Sequence, residues 1–288
     1  MQQAKVFPIK VTRKEFKELW LHVTYRCNLQ CTYCLFNCSP INNLGELSLA
    51  DCQTYVLKAI AQGVKALYLT GGEPLVWPWL SDFLKWYYDL ESVLPLTILT
   101  NGTQISSERA RLFRAYLLQG LNLRISMECY TQTNHEEFRG QGSFAKVLQG
   151  IRNLNDCGIR PLIAYVNKSG GDLGSLETIK LEGDFRERLK LDFGLEIKGL
   201  KIIAAYAKGR FAGQVQPEAS REQVSLRLET VQCAYGVAVS KGGVFPCPIM
   251  VDVPEAVVLE TKAGLIGQSF ELNYDFCQSC FVTGTCCG

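Results

Sequence analysis

Thirteen cysteines stand in a chain of 288 residues, at positions 27, 31, 34, 38, 52, 129, 157, 233, 247, 277, 280, 286 and 287. Three of them fall in the run Cys27-Asn28-Leu29-Gln30-Cys31-Thr32-Tyr33-Cys34, separated by three and then two residues. Thiolates so spaced can wrap one face of a [4Fe–4S] cube, because cysteine sulfur is the usual ligand of iron–sulfur clusters. Three ligands leave the fourth iron open, as a catalytic metal requires. A structural zinc site more often shows paired C-x-x-C knuckles and four ligands. The odd cysteine count, with no secretion signal in the opening MQQAKVFPIKVTRKEF, argues against a disulfide framework. Cys52 and Cys157 lie within helical patterns and read as small core residues.

The elements that must position the first group alternate from residue 20 to about 206. Apolar strands are expected at 19–25, 66–70, 96–100, 121–127, 160–166 and 200–206, and helices at 48–62, 78–90, 106–119, 143–157 and 175–190. Ser48 suits an N-cap, and Gly63, Gly120 and Gly158 close helices. Apolar strands bounded by helices imply a parallel sheet covered on both faces. Periodicity alone does not separate a barrel from a doubly wound sheet. We read an α/β fold, a partial (βα)6, TIM-like barrel whose site loops follow the strand C-termini, with a small cysteine-rich C-terminal extension. The expected division is a lead-in at 1–18, a core at 19–206, a connection at 207–230 and the extension at 231–288.

A net charge of +2 without a basic stripe disfavours a nucleic-acid partner. Hydrophobic residues make up 47%, but no apolar run approaches the ~20 residues of a membrane helix, so a cytoplasmic protein is expected.

The CxxxCxxC run after a first strand resembles the radical S-adenosylmethionine (radical SAM) superfamily over roughly residues 18–206. The resemblance implies that Cys27, Cys31 and Cys34 hold a [4Fe–4S] cluster whose open iron is chelated by S-adenosylmethionine. Reductive cleavage of that cofactor would give a 5′-deoxyadenosyl radical, with the electron coming from a donor such as flavodoxin or ferredoxin. Tyr33 matches the position whose backbone faces the adenine. Thr70-Gly71-Gly72-Glu73-Pro74 resembles the family's GGEP segment, in which Glu73 would meet the cofactor's ammonium group. Thr100-Asn101-Gly102 is another recurrent turn. Ser126 and Glu128 share a strand face and would reach the ribose or substrate. The loop from His135 to Phe144 resembles the H-x-x-x-R-G-x-G-S-F stretch of maturase-type members, by which Arg139 would pair with the cofactor carboxylate. The family pattern needs three cysteines, which leaves Cys38 a loop thiol. His22 reads as a barrel histidine and His135 as a loop-positioning residue.

The second cysteine group, C-x8-G-x4-C from Cys233 to Cys247 and C-x2-C-x5-C from Cys277 to Cys286, resembles the SPASM/Twitch extension. Six cysteines, including Cys287, supply one fully ligated auxiliary [4Fe–4S] cluster rather than two. Cys233, Cys247, Cys277 and Cys280 are the expected ligands, with Cys286 as a substitute for one of the last two. The alternative is a zinc ribbon, since C-x-x-C with distant cysteines is also a zinc spacing.

Three functions follow. A radical enzyme could oxidise a peptide or peptide-like substrate; with only about 18 residues before the first strand, it would need a separate peptide-recognition protein. It could instead dehydrogenate or epimerise a small molecule such as an amino sugar, with Cys129 as a candidate hydrogen donor despite its opposite strand parity. The non-enzyme alternative is a zinc-stabilised binding protein.

Overall fold

The computed structural model describes residues 9–42, 44–168, 174–213, 218–258 and 268–284. Cys286 and Cys287 lie outside these residues.

The alternation of apolar strands and helices forms one eight-stranded sheet. Its members are β2 (Glu18–His22), β3 (Ala66–Thr70), β4 (Leu96–Thr100), β5 (Leu121–Ser126), β6 (Leu162–Asn167), β7 (Gly199–Ala204), β8 (Gly236–Ser240) and β9 (Gly243–Phe245). Their order is β7-β6-β5-β4-β3-β2-β8-β9, all parallel except β9, which folds back on β8. Among the described residues the sheet's two edges, β7 and β9, do not pair. The fold is thus α/β with a partial, TIM-like barrel.

Period-two alternation sorts the side chains. Leu19, Leu21, Leu67, Leu69, Leu96, Ile98, Leu123 and Ile125 face the helices in the larger core. Trp20, Tyr68, Leu99, Arg124 and Ser126 have the opposite parity and turn to the inner face. The covering helices are α1 (Leu49–Ala61), α2 (Leu80–Tyr88), α3 (Ser107–Tyr116), α4 (Gln132–Arg139), α5 (Ser143–Asp156) and α6 (Ser175–Phe193). Ser48 caps α1 in a capping box with Asp51. The stretch between β5 and α5, which reads as a polar loop in the sequence, contains α4; Thr131 at its N-cap makes no side-chain cap bond, so the usual start signal is missing.

The C-terminal part is tied to the barrel. Strand β8 extends the sheet by pairing parallel with β2, Glu18 opposite Gly236. Strand β1 (Ile9–Thr12) pairs antiparallel with β10 (Ser269–Leu272). Ile9, Val11 and Leu272 join Cys233, Cys277 and Phe281 in a second core. Helix α7 (Arg221–Arg227) packs near α8 (Gln278–Thr283). No described helix is long and apolar enough to cross a membrane.

Candidate active site

The parallel strands deliver their C-terminal ends to one rim, and a cavity of about 220 Å³ opens there. Cys27, Cys31 and Cys34 line it together with Tyr33, Gly71, Gly72, Ser126 and Arg139. Glu73 and Glu128 are buried behind the wall.

The cysteine loop has little regular structure and takes its shape from neighbours. Gly72 passes so close to it that a Cβ would lie 2.3 Å from the Arg26 carbonyl, while Gly72 and Glu73 donate backbone hydrogen bonds to Thr24 (2.7 Å) and Arg26 (2.9 Å). Glu73, fully buried, secures this turn from behind. Its Oε1 accepts from Leu75 N (2.9 Å) and Thr100 Oγ1 (2.6 Å), and its Oε2 from Asn101 N (2.7 Å). Burial pushes its carboxyl up, opposed by those hydrogen bonds. Asn101, thus fixed, approaches Cys27 Sγ at 3.8 Å and donates to Asn28 Oδ1 at 2.9 Å.

The other side of the loop is held by residues that no sequence motif announces. Arg210 donates through Nε to the Cys31 carbonyl and through Nη2 to the Cys38 carbonyl, both at 2.6 Å, and its backbone N–H reaches the Cys34 carbonyl at 3.0 Å. Lys208 reaches the Leu35 carbonyl at 3.2 Å and pairs with Asp252. Gly209 between them has φ +61°, and a Cβ there would lie 2.3 Å from the Cys34 carbonyl. Their only regularity is that they follow the sixth barrel strand.

A charged knot closes the remaining wall. Glu128 Oε1 accepts from Tyr33 OH and from Arg139 Nη2 at 2.9 Å, while Lys168 Nζ lies 3.4 Å from Oε2. Arg139 and Lys168 each stand 5.5 Å from the Tyr33 ring centroid. The strand-end rule that flags Ser126 and Glu128 applies equally to Lys168, which follows β6. His135 Nδ1 accepts the Glu128 backbone N–H at 3.3 Å. Cys129 turns aside, 3.3 Å from the Thr131 hydroxyl. His22 is buried against Tyr25 and Phe36, with no hydrogen-bond partner for either nitrogen.

The donor set suits a multi-iron cluster. N–H groups already point at the sulfurs: Leu29 N at Cys27 Sγ (3.4 Å) and Cys38 N at Cys34 Sγ (3.3 Å). The hydrogen bond with Cys38 lowers the Cys34 thiol to about 6, whereas burial raises Cys27 to about 12. A coordinating metal offsets the latter by displacing the proton outright.

The second cysteine group also converges. Cys233, Cys247, Cys277 and Cys280 line one small apolar pocket with Met250, Phe276 and Phe281. Burial and the neighbouring Cys247 and Cys233 push the Cys277 thiol well up. Arg13, 1% exposed, is lowered to about 10 by burial and pulled back by Cys233 and Cys247. A buried guanidinium beside Cys233 and Cys247 is placed to balance thiolate charge there.

Two outcomes are expected from this geometry. Burial depresses both histidines, His22 to about 3 and His135 to about 4. Both stay neutral in the fold but titrate near ~6.5 when unfolded, so their contribution is complete above that pH. It falls on acidification by about 1.4 kcal/mol per pH unit for each histidine. Urea midpoints from pH 7 to 5 should drop less steeply for His22→Phe than for wild type; equal slopes would contradict the buried neutral state. Gly209→Ala should cost about 1–3 kcal/mol by collision with the cysteine loop. Gly194→Ala, where φ is +66° and a Cβ meets nothing within 4 Å, carries the same backbone strain without the collision and should cost less. Equal melting temperatures for the two variants would rule out the close approach.

The chain is 31% identical over 156 residues to a GTP 3′,8-cyclase of Aliarcobacter butzleri, covering 53% of this chain and 47% of that protein. It is 33% identical over 138 residues to the antilisterial bacteriocin subtilosin biosynthesis protein AlbA of Bacillus subtilis, covering 48% and 30%. The chain therefore spans less than half the length of these two curated relatives. In fold it resembles Streptococcus suis SuiB bound to S-adenosylmethionine (TM-score 0.63, 15% identity, 83% of this chain and 62% of that one). It also resembles anSMEcpe with bound AdoMet and Kp18Cys peptide (TM-score 0.57, 16% identity, 82% and 75%). Residues 21–172, just over half the chain, match the radical SAM superfamily model, and the chain belongs to this family of enzymes.

Proposed function

We propose that this enzyme uses S-adenosylmethionine and two [4Fe–4S] clusters to oxidise a peptide or peptide-like substrate. The observation that carries this reading is the pair of cysteine-lined cavities, one with Cys38 beside the three motif thiols and the other with four cysteines, and with Ile249 in the wall of both. Cys27, Cys31 and Cys34 would hold the first cluster, and Cys233, Cys247, Cys277 and Cys280 the auxiliary one in a unit spanning 231–288. Held by these cysteines, the first cluster with S-adenosylmethionine would supply carbon-radical chemistry for hydrogen abstraction.

The chain's own residues do the positioning. Asn101 and the Leu29 N–H hold Cys27, and Arg210 holds the carbonyls of Cys31 and Cys38. Arg139 lines the cavity and offers a planar guanidinium suited to the cofactor's carboxylate. Ser126 lies in the same wall for the ribose, and Gly71 and Gly72 let the chain approach the ligand closely. Glu73 acts from behind, through Asn101 and the GGEP turn. Leu99, Val166 and Ile203 give the cavity apolar surface, which excludes water from a reactive radical. Electrons would come from a flavodoxin- or ferredoxin-type donor in the cytoplasm, and a separate protein would present a peptide.

A peptide substrate is supported by the likeness to AlbA, a bacteriocin biosynthesis protein, and to SuiB, whose structure is also known with its precursor peptide SuiA. The GTP 3′,8-cyclases favour a second reading, a small-molecule substrate. Cys129, outside the cavity lining, is a poor hydrogen donor, so the net outcome is a two-electron oxidation rather than epimerisation.

Anaerobically reconstituted protein should hold about eight irons and form 5′-deoxyadenosine under strong reductant. Replacing Cys27, Cys31 and Cys34 together by Ala should leave about four irons and abolish that product. Four irons plus one zinc in the wild type would sink the auxiliary-cluster reading. With a peptide substrate, the product should be two hydrogens lighter or cross-linked, and Cys129→Ala should keep turnover. Consumption of GTP instead would favour the second reading.

A further inference from the structure

Where the two cavities meet, a single layer of side chains separates them. Tyr206, just beyond β7, is 1% exposed and lines the first cavity. Its hydroxyl lies 3.5 Å from Cys280 Sγ, which lines the second. Tyr206 and Ile249 form a small core of their own, packed against Leu35 of the first cysteine loop on one side and against Cys247, Phe276 and Cys280 on the other. Once Cys280 is a thiolate it has no proton to give, so Tyr206 must be the donor in this contact.

We propose that Tyr206 couples the reaction cavity to the auxiliary cluster, its ring forming the cavity wall and its hydroxyl tuning the cluster through Cys280. The inference rests on the auxiliary-cluster reading above. Hydrogen bonds to cluster sulfurs are among the levers that set reduction potential, because they stabilise the more negative, reduced state. After hydrogen abstraction the substrate radical loses one electron to the oxidised cluster and one proton to solvent. The product has a new unsaturation or bond, and the cluster is reduced by one electron, to be reoxidised by the external electron carrier. Tyr206 makes the cluster a readier acceptor and places it against the cavity. It takes no proton or electron itself and is a positioning residue.

The test uses the full chain with Cys27, Cys31 and Cys34 replaced by Ala, so that the auxiliary cluster alone is read by potentiometric EPR titration. Tyr206→Phe should keep the iron content and lower the equilibrium constant for reduction about tenfold, which is ~59 mV for a one-electron couple. Difluorotyrosine at 206, a stronger donor of nearly the same shape, should move the potential the opposite way. If the parent protein gives a cluster signal and neither change moves its potential, Tyr206 does not tune the cluster and the inference fails. If the parent holds no iron, the auxiliary-cluster reading fails first, and the inference with it.

Discussion

The site depends on a loop that cannot shape itself. From Cys27 to Cys38 the chain forms no helix or strand, yet it must hold three sulfurs apart toward one cavity. Its polar backbone groups need partners wherever water is excluded. The barrel supplies them from two directions. On one side Gly72 and Glu73 bring the turn after β3 into contact with the backbone at Thr24 and Arg26. On the other, Lys208 and Arg210 occupy the carbonyls of Cys31, Cys34, Leu35 and Cys38, with Gly209 passing close between them. Tolerance on both sides is small, because the glycines leave no space for a Cβ.

Glu73 ties together two of the turns that frame the site. Three hydrogen bonds to a fully buried group recover much of its desolvation cost, and they join the turns after β3 and β4 into one rigid unit. Glu128 plays the same part opposite, gathering Tyr33, Arg139 and Lys168 around one buried carboxylate. Cationic Arg139 and Arg210 remain in the cavity wall. Buried Glu128 behind thus holds the cationic Arg139 and Lys168 in place.

Much of this was legible in the sequence because it is local. Strands at 66–70 and 96–100 agree with the structure to the residue, since short apolar runs between turn signals have few alternatives. The cysteine, GGEP and TNG motifs follow strand ends, where parallel topology brings them to one rim, whereas Arg139 reaches that rim from the end of α4. What escaped is what depends on distant partners. The pairing of β8 with β2 joins segments more than two hundred residues apart, and nothing in GVAVS marks its neighbour. Helix α4 lacks a capping side chain, and its polar sequence reads as loop. Arg210 contributes through backbone carbonyls, which carry no residue-type signature. The motif flags Glu73, but its hydrogen bonds to Thr100 and Asn101 become visible only once β4 lies beside β3.

On our proposal, the three thiols hold a cluster with one iron left open for S-adenosylmethionine. The most direct measurement is the EPR spectrum of the dithionite-reduced enzyme before and after adding the cofactor. With the four auxiliary cysteines replaced by Ala, a single reduced cluster should remain, and S-adenosylmethionine should shift its g-values by binding the open iron. A reduced cluster whose spectrum is unchanged at saturating cofactor would contradict the account.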